Sequence, residues 1–293
     1  MRVRGANAVY LPDIRFPANL RVTSDLAEAL VGTEFIVAAV PSHGTREILR
    51  RAAPHIHRGS IVVSATKGLE QDTLFRMSEI IAQELKGTVG VAVLSGPSFA
   101  AELARELPTA VSIASRDAAV VERVQAEFKA PYFRLYGTDD VVGVEIGGAL
   151  KNVIAIAAGV VEGLGLGHNA LAGLITRGLA EMSRLACAAG AKRETLSGLT
   201  GLGDLVLTCT GALSRNRHVG IELASGRAVA DVLAGMKMVA EGVRTTDAAL
   251  ALASRYGVEL PIATQVGELL AGRTDPRTAL YELMLRPQRA EVG

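Results

Sequence analysis

Tryptophan is absent from this 293-residue sequence, and all aromatic residues together make up only 4% of it. So few rings leave little material for the stacking platforms that bind single-stranded nucleic acid. The 31 basic and 30 acidic residues leave a net charge of +1, so the chain has no broad basic field either. The composition therefore argues against nucleic acid as a partner and against binding to an anionic membrane surface.

Cysteine is scarce too, because only Cys187 and Cys209 occur, far apart and outside any CxxC pattern. We expect two buried thiols in a reducing compartment rather than a disulfide. No uninterrupted apolar run reaches the ~18 residues of a membrane helix, since Lys151 and Asn152 interrupt the stretch IGGALKNVIAIAAGVV. The N-terminus lacks the apolar run of a signal peptide. These absences predict a cytoplasmic protein without membrane insertion. The five histidines show no metal-ligand spacing, so no metal is expected.

The first half of the chain alternates β-branched runs with helical patterns. Strands are predicted at 34–40, 60–65, 89–94 and 109–114, and helices at 44–54, 72–86 and 98–106. This alternation predicts a doubly wound parallel sheet with crossover helices. In such sheets, ligands bind at the carboxyl ends of the strands.

From about residue 141 the sequence becomes rich in Ala, Leu and Gly, and strand alternation stops. Helical segments are predicted at 141–164, 169–189, 192–199, 201–210, 214–225, 228–235, 242–256 and 262–271. We therefore expect two domains, a dinucleotide-binding type of domain over 1–140 and an all-α domain over 141–293.

Small polar residues follow the predicted strands, at the edge where ligands collect. Lys67 follows the strand at 60–65, which favours a cation facing a substrate oxygen or anion; the alternative is a solvated loop lysine. After the strand at 89–94, Gly96 allows close approach of the backbone, and Ser98 is placed to cap the next helix. A ligand site and a purely structural cap both fit this turn.

Lys151 lies in a stretch so apolar that both faces of its helix should be buried. Charged residues are rarely buried without a partner, and desolvation lowers the pKa of a lysine towards the range useful for proton transfer. Asp204 and Thr208, four residues apart in another apolar segment, share one helix face, and Asp204 is the natural partner of Lys151. The alternative for Lys151 is a side chain that snorkels to the surface.

A basic turn follows this segment. Ser214 can cap a helix, and Arg215 can bind a phosphate in bidentate fashion, with Asn216 beside it. An ordinary surface turn would have the same composition.

Taken together, nine segments resemble the bacterial NAD(P)-dependent glycerol-3-phosphate dehydrogenases, and they occur in that family's order. They are NAVYLPD, AVPSH, SATKGLE, LSGPSFAAEL, GVEIGGALKNVIAIAAG, LITRGLAEMSRL, GLGDLVLTC, SRNR and VAEGVRTT. The resemblance implies a Rossmann-like sheet followed by an all-α C-terminal domain, with NAD or NADP as cofactor. It also implies the reduction of dihydroxyacetone phosphate to sn-glycerol 3-phosphate for phospholipid synthesis. We expect a homodimer, with association through the helical domain, although the sequence does not determine the oligomeric state.

The same resemblance implies roles for individual residues. Lys151 matches the catalytic acid/base, and Lys67, Asp204 and Thr208 match residues around the substrate's oxygens. The catalytic residues implied are Lys151, Asp204 and Thr208. The positions that match substrate contacts are Lys67, Gly96, Ser98, Lys151, Asp204, Ser214, Arg215 and Asn216. Those that match positions near the dinucleotide are Lys67, Ala100, Arg215, Val239 and Glu241.

The sequence departs from that family at one point, because no GxGxxG turn precedes its first predicted strand. In the family this turn cradles the pyrophosphate, and GLGLG at 163–167 lies in the helical half instead. We therefore expect a sheet truncated on its N-terminal side, with an exposed edge, and a chain that binds NAD(P) poorly or folds poorly. Two other interpretations stay open: a related two-domain hydroxyacid dehydrogenase, and a non-catalytic truncated fragment acting as a binding or oligomerising module.

Overall fold

The computed structural model describes residues 1, 4–236, 240–288 and 290. A short hairpin, β1 (Ala6–Asn7) and β2 (Leu11–Arg15), precedes a five-stranded sheet. The strands lie side by side in chain order: β3 (Phe35–Ala38), β4 (Ile61–Ser64), β5 (Gly90–Ser95), β6 (Thr109–Ala114) and β7 (Phe133–Thr138). Five helices alternate with them: α1 (Leu26–Leu30), α2 (Thr45–Ala52), α3 (Met77–Glu84), α4 (Ala100–Leu103) and α5 (Ala118–Phe128).

The Rossmann-like fold class is confirmed, although the sheet is not parallel throughout. Strands β3, β4 and β5 are parallel, whereas β6 runs antiparallel to β5 and is parallel to β7. The segment predicted as a helix over 98–106 forms only the single turn of α4. At ~1.5 Å per residue, so short a helix cannot carry the chain back along the sheet. The chain therefore re-enters the sheet from the same end, which makes β6 antiparallel.

Five elements of the sheet half escaped the sequence prediction: strands β1 and β2, helix α1, helix α5 and strand β7. In β7 the side chain of Leu135 is buried while its neighbours Arg134 and Tyr136 are exposed, and this alternation could have identified an edge strand. In the described part of the chain, β3 forms the opposite edge, where the side chain of Val37 is 56% exposed.

The C-terminal part is entirely helical in the described residues. It contains α6 (Val141–Gly163), α7 (Gly167–Ala188), α8 (Arg193–Ser197), a π-helical turn (Leu199–Gly203), α9 (Asp204–Thr210), α10 (Arg215–Ala224), α11 (Val229–Ala234), α12 (Glu241–Tyr256), α13 (Pro261–Leu270) and α14 (Pro276–Met284). The first nine of these match the predicted helical segments, and α14 was not predicted. Cys209 is buried as expected, but Cys187, in the last turn of α7, is exposed, which corrects the prediction for that thiol.

Helix α6 is the centre of the helical half. It is long and apolar enough to cross a membrane by length and composition, yet 94% of its most apolar window is buried inside the protein. Helix α10 approaches it most closely at two glycines. A Cβ at Gly159 would lie 1.9 Å from the carbonyl oxygen of Arg217, and a Cβ at Gly220 would lie 2.0 Å from that of Ile156. Only glycine at both positions permits this backbone contact.

Buried Glu181 of α7 holds the start of α13. Its carboxylate accepts hydrogen bonds from the backbone N–H groups of Ile262 and Ala263, at 2.8 and 3.3 Å. These first-turn N–H groups have no partner inside their own helix. Burial of this carboxyl group raises the pKa of Glu181 to about 7. Glu181 is therefore a buried acid whose hydrogen bonds serve the helix bundle.

We expect Gly159→Ala to lower the free energy of unfolding by about 2 kcal/mol or more, because α6 and α10 must move apart to admit a methyl group. The matched control is Gly173→Ala in α7, where a Cβ would meet nothing within 4 Å. That variant should be neutral or more stable by up to about 1 kcal/mol, because alanine favours a helix. Urea denaturation measures both, and equal stabilities of the two variants would contradict this helix contact.

Candidate active site

The carboxyl ends of β3, β4 and β5 are tied together by side chains. The hydroxyl group of Thr66 donates to the carbonyl oxygen of Val40 at 2.8 Å, which joins the ends of β3 and β4. The Nζ atom of Lys67 donates to the carbonyl oxygen of Gly96 at 3.1 Å, which joins the ends of β4 and β5. Lys67 is therefore not a freely solvated loop residue, and its ammonium group lies at the predicted edge.

Two glycines at these strand ends have a backbone that other residues rarely adopt, with φ of 144° at both Gly68 and Gly96. A Cβ at Gly68 would lie 2.8 Å from the Cβ of Ser42, and one at Gly96 would lie 2.9 Å from the Cα of Val111. The close backbone approach predicted for Gly96 is therefore real, and it is an approach to the neighbouring strand.

A single carboxylate, that of Asp204 in the first turn of α9, is shared by two lysines. Its Oδ1 atom lies 2.6 Å from the Nζ of Lys151, and its Oδ2 atom lies 2.5 Å from the Nζ of Lys67. Lys151 also donates to the hydroxyl oxygen of Thr208 at 2.7 Å. The predicted pairing of Lys151 with Asp204 is present, and Thr208 lies on the same face of α9. Lys67 joins them through an ion pair with Asp204, whereas the resemblance had grouped the two only as residues around the substrate.

The environment of Lys151 makes its amine suited to proton transfer. Its side chain is 8% exposed and that of Asp204 is 1% exposed. Burial, and then the positive charge of Lys67, lower the pKa of Lys151 to about 7, although Asp204 acts in the opposite direction. Near neutral pH this amine is therefore able to donate and accept a proton.

Glycines in α6 let the sheet approach Lys151, as the sequence suggested. A Cβ at Gly148 would lie 2.6 Å from the hydroxyl oxygen of Ser95 and 3.6 Å from the Cγ of Lys67. Gly148 precedes Lys151 by one turn, so the stem of Lys67 runs along α6 towards Asp204. The end of β5 and the loop after β4 are thereby packed against the helix that carries Lys151.

The start of α10 is hydrogen-bonded to Asn152, the residue after Lys151 in α6. Ser214 caps this helix as predicted, accepting a hydrogen bond from the N–H of Arg217 at 3.2 Å. Arg215 is exposed in the first turn. Asn216 is buried, and its amide donates to the side chain of Asn152 at 3.0 Å. Because Asn152 follows Lys151 in α6, this bond brings the basic turn close to the lysine.

Some sequence-predicted residues occupy other places. Ser98 does not cap α4, because the N-cap position of that helix is occupied by Phe99. The hydroxyl group of Ser98 instead donates to the carbonyl oxygen of Gly96 at 3.2 Å. Ala100 is exposed at the start of α4. Val239 lies outside the described residues.

Glu241 begins α12 and contacts the end of β3, a contact that sequence reasoning missed. Its carboxylate accepts from the hydroxyl group of Ser42 at 2.7 Å and from the N–H of Ser42 at 3.3 Å. Its neighbour Gly242 donates its N–H to the side chain of Asn216 at 2.9 Å. Ser42, a polar residue after a predicted strand, was the available signal, but it carried no information about its partner.

Comparison with known proteins decides the family. The family model described as NAD-dependent glycerol-3-phosphate dehydrogenase N-terminus matches residues 1–121, and the one described as the C-terminus of the same family matches residues 140–281. The chain belongs to the NAD-dependent glycerol-3-phosphate dehydrogenase family. The prediction of this family, in preference to a hydroxyacid dehydrogenase, is confirmed.

Individual glycerol-3-phosphate dehydrogenases are similar over most of the chain. The NAD(P)+ enzyme of Syntrophotalea carbinolica is 51% identical over 294 residues, which span 100% of this chain and 88% of that protein. The corresponding protein of Myxococcus xanthus is 55% identical over 78% of this chain and 68% of its own length. The crystal structure of glycerol-3-phosphate dehydrogenase from Coxiella burnetii superposes with a TM-score of 0.94 at 43% identity, covering 98% of this chain and 87% of that one.

The family implies NAD or NADP, and the ends of β3 and β4 carry polar groups able to contact such a cofactor. Lys67 follows β4, and the carboxylate of Glu241 lies on Ser42 after β3. Among the described residues no glycine-rich strand-to-helix turn is available for the pyrophosphate, so the weak NAD(P) binding expected from the sequence stays a prediction.

We expect Asp204→Asn to lower the pKa of Lys151 below about 7, because burial and Lys67 then act on the ammonium group without the opposing carboxylate. The pH dependence of Lys151 acylation by acetic anhydride, followed by peptide mass spectrometry, measures this shift. Asp275→Asn is a suitable control, since Asp275 caps α14 and makes its hydrogen bonds there. An unchanged or higher pKa of Lys151 in Asp204→Asn would contradict the arrangement.

Proposed function

We propose that this chain reduces dihydroxyacetone phosphate to sn-glycerol 3-phosphate with NADH or NADPH, and catalyses the reverse oxidation. The observation that carries the proposal is the buried Lys151–Asp204 pair beside the sheet edge, with the capped, basic start of α10 bound to the next residue of α6, Asn152. A proton-transfer group and an anion-binding helix start are the two features that a phosphorylated ketone requires.

Reduction of the ketone needs a hydride at C2 and a proton on the carbonyl oxygen. When bound, NAD(P)H supplies the hydride. The ammonium group of Lys151 donates the proton as the C2 oxygen becomes an alkoxide, leaving a neutral amine and the alcohol. Asp204 and Thr208 hold the Nζ atom of Lys151 in place at 2.6 and 2.7 Å. In the oxidation direction the neutral amine takes the hydroxyl proton.

Lys67 gives the site a second cation. Its side chain is 20% exposed, whereas that of Lys151 is 8% exposed, so Lys67 is the lysine closer to solvent. Its ammonium group stabilises negative charge that develops on the substrate's oxygens in the transition state. It also keeps the pKa of Lys151 low, which favours release of the proton at neutral pH.

The phosphate of the substrate is proposed to bind at the start of α10. The first-turn N–H groups of a helix have no partner within the helix and attract anions. Arg215 adds a guanidinium group able to bind two phosphate oxygens at once. The side chain of Asn216 is hydrogen-bonded to the side chain of Asn152 and to the N–H of Gly242. These bonds hold the helix start near Lys151. The protein acts, in this proposal, as a cytoplasmic homodimer that supplies glycerol 3-phosphate for phospholipid synthesis.

With Lys151 as the general acid, kcat/KM for ketone reduction should fall as the pH rises through about 7, because the ammonium form is lost. The same quantity for alcohol oxidation should rise over that range, because the neutral amine is the base. Lys151→Ala should lose at least about 10²-fold in activity and lose this pH dependence. Both directions of the reaction are measured from about pH 5.5 to 9.5. The assays are NADPH oxidation with dihydroxyacetone phosphate and NADP+ reduction with glycerol 3-phosphate. A wild-type pH profile in the Lys151→Ala variant would exclude Lys151 as the general acid.

Arg215→Ala should raise KM for dihydroxyacetone phosphate by about 10- to 100-fold, as expected for the loss of a charged hydrogen bond of about 1.5–3 kcal/mol. The same variant should leave kcat/KM for unphosphorylated dihydroxyacetone within about twofold of wild type, because no phosphate is present to bind. Steady-state kinetics with the two ketones make the comparison. An equal loss for both would show that Arg215 does not act on the phosphate.

A further inference from the structure

A loop of the sheet half reaches into the helical half. This connecting loop, residues 67–78, begins at the active-site lysine Lys67 and ends in the first turn of α3. Leu69 is buried in the core of the C-terminal helices, and Leu74 packs against that core. The next residue, Phe75, packs against the core between α3 and the sheet. The connecting loop therefore contacts both hydrophobic cores.

The loop is closed on itself at its base. Leu69 pairs with Arg76 in an isolated antiparallel bridge, and the N–H of Glu70 donates to the carbonyl oxygen of Phe75 at 3.0 Å. Leu74 has a φ of 62°, a left-handed conformation that a leucine adopts only where its surroundings fix it. A displacement of Arg76 at one side of the loop is thus transmitted to Lys67 at the other.

Both sides of the loop are attached to α6. On one side, the stem of Lys67 packs at Gly148. On the other side lies Glu145, whose carboxylate accepts from the guanidinium group of Arg76 at 2.7 Å and from the backbone and hydroxyl groups of Ser78 at 2.8 and 2.6 Å. Glu145, Gly148 and Lys151 follow one another at intervals of three residues. The anchor of the loop and the catalytic lysine therefore belong to one rigid helix.

Glu145 has no part in the proton transfer or in phosphate binding, yet it is a charged group placed in the protein interior. Its side chain is 2% exposed, and burial raises the pKa of this carboxyl group against the opposing effect of Arg76. Replacing a buried ion pair with apolar residues is often neutral or stabilising, so stability alone gives little reason for such a pair. Geometric specificity is the better reason here, because three hydrogen bonds fix the loop in one position.

We propose that Glu145 is a positioning residue for the active site, acting through Arg76 and Ser78 to hold the connecting loop on α6 and so to keep the ammonium group of Lys67 on Asp204. Its effect on turnover rests on the function proposed above. Its effect on the location of Lys67 does not depend on turnover.

The first test measures Lys67 directly. Trace acylation with acetic anhydride, followed by peptide mass spectrometry, compares wild type with Glu145→Gln, which keeps the size of the side chain and removes its charge. Release of Lys67 from Asp204 should raise its acylation rate at least about fivefold, the equivalent of about 1 kcal/mol of ion pairing. Glu181→Gln is the matched control, because Glu181 is likewise a buried carboxylate. It accepts hydrogen bonds from two backbone N–H groups that lie outside the connecting loop. This variant should leave Lys67 unchanged.

The second test is a double-mutant cycle with Lys67→Ala, measured as kcat/KM for dihydroxyacetone phosphate. Glu145→Gln alone should lose about tenfold or more, as expected for a misplaced active-site group. In the Lys67→Ala background it should lose less than about twofold, because the group through which it acts is already gone. Glu181→Gln should have equal effects in both backgrounds. Ser78→Ala removes one hydrogen bond to Glu145 and should lower kcat/KM in the same way as Glu145→Gln, but by a smaller factor. It replaces Glu145→Gln in both tests if that variant does not fold.

The outcomes separate the two proposals. Absence of turnover in the wild-type chain would overturn the proposed function, and the acylation experiment would still decide the role of Glu145. Unchanged acylation of Lys67 in both Glu145→Gln and Ser78→Ala would overturn the positioning role. Equal losses of kcat/KM for Glu145→Gln in the presence and absence of the Lys67 side chain would overturn it as well.

Discussion

The carboxylate of Asp204 is shared by two ammonium groups that reach it from different layers of the molecule. Lys67 comes from the loop after β4, and Lys151 comes from the buried helix α6. Without the carboxylate, two like charges would face each other in a poorly solvated space and would repel. Because each oxygen of Asp204 binds a different lysine, the sheet edge, α6 and α9 must all lie within a few ångströms of one point. The remaining architecture satisfies that requirement.

The arrangement has a cost in stability, because three charged groups are withdrawn wholly or partly from water. Two cations and one anion leave a net positive charge in the site, and this unbalanced charge helps burial to hold the pKa of Lys151 near 7. A cluster with equal numbers of cations and anions would be more stable. The pKa of Lys151 would then be higher, and the lysine would release its proton less readily near neutral pH. The large apolar core around α6 offsets this cost, since most of that helix is buried.

The sequence is most informative where burial and charge conflict. A lysine and an acid in apolar helices each need a partner, and that argument made Asp204 the candidate for Lys151 without placing the two together. The participation of Lys67 in the same pair, and the Arg76–Glu145 pair, were not predictable in this way, because neither local spacing nor polarity encodes a contact between remote segments. The antiparallel β6 follows from a segment with helical composition that forms only one turn, and Ser98 misses the cap because that turn begins after Phe99. Propensity favoured a helix there, and tertiary structure allowed little of it.

Helix α6 explains how distant parts of the site keep their geometry. From Glu145 to Asn152 it rises by about 10 Å, and along that length it meets Arg76, the stem of Lys67, Asp204 and Asn216 in turn. The first two belong to the loop after β4, and the last belongs to the helix start where the phosphate is proposed to bind. Each partner contacts a different part of one helix, so the loop that carries Lys67 and the helix start that carries Asn216 are both held at defined positions along α6. A site built in this way is pre-organised by packing, because residues outside the proposed chemistry, such as Arg76 bound to Glu145, also fix its geometry.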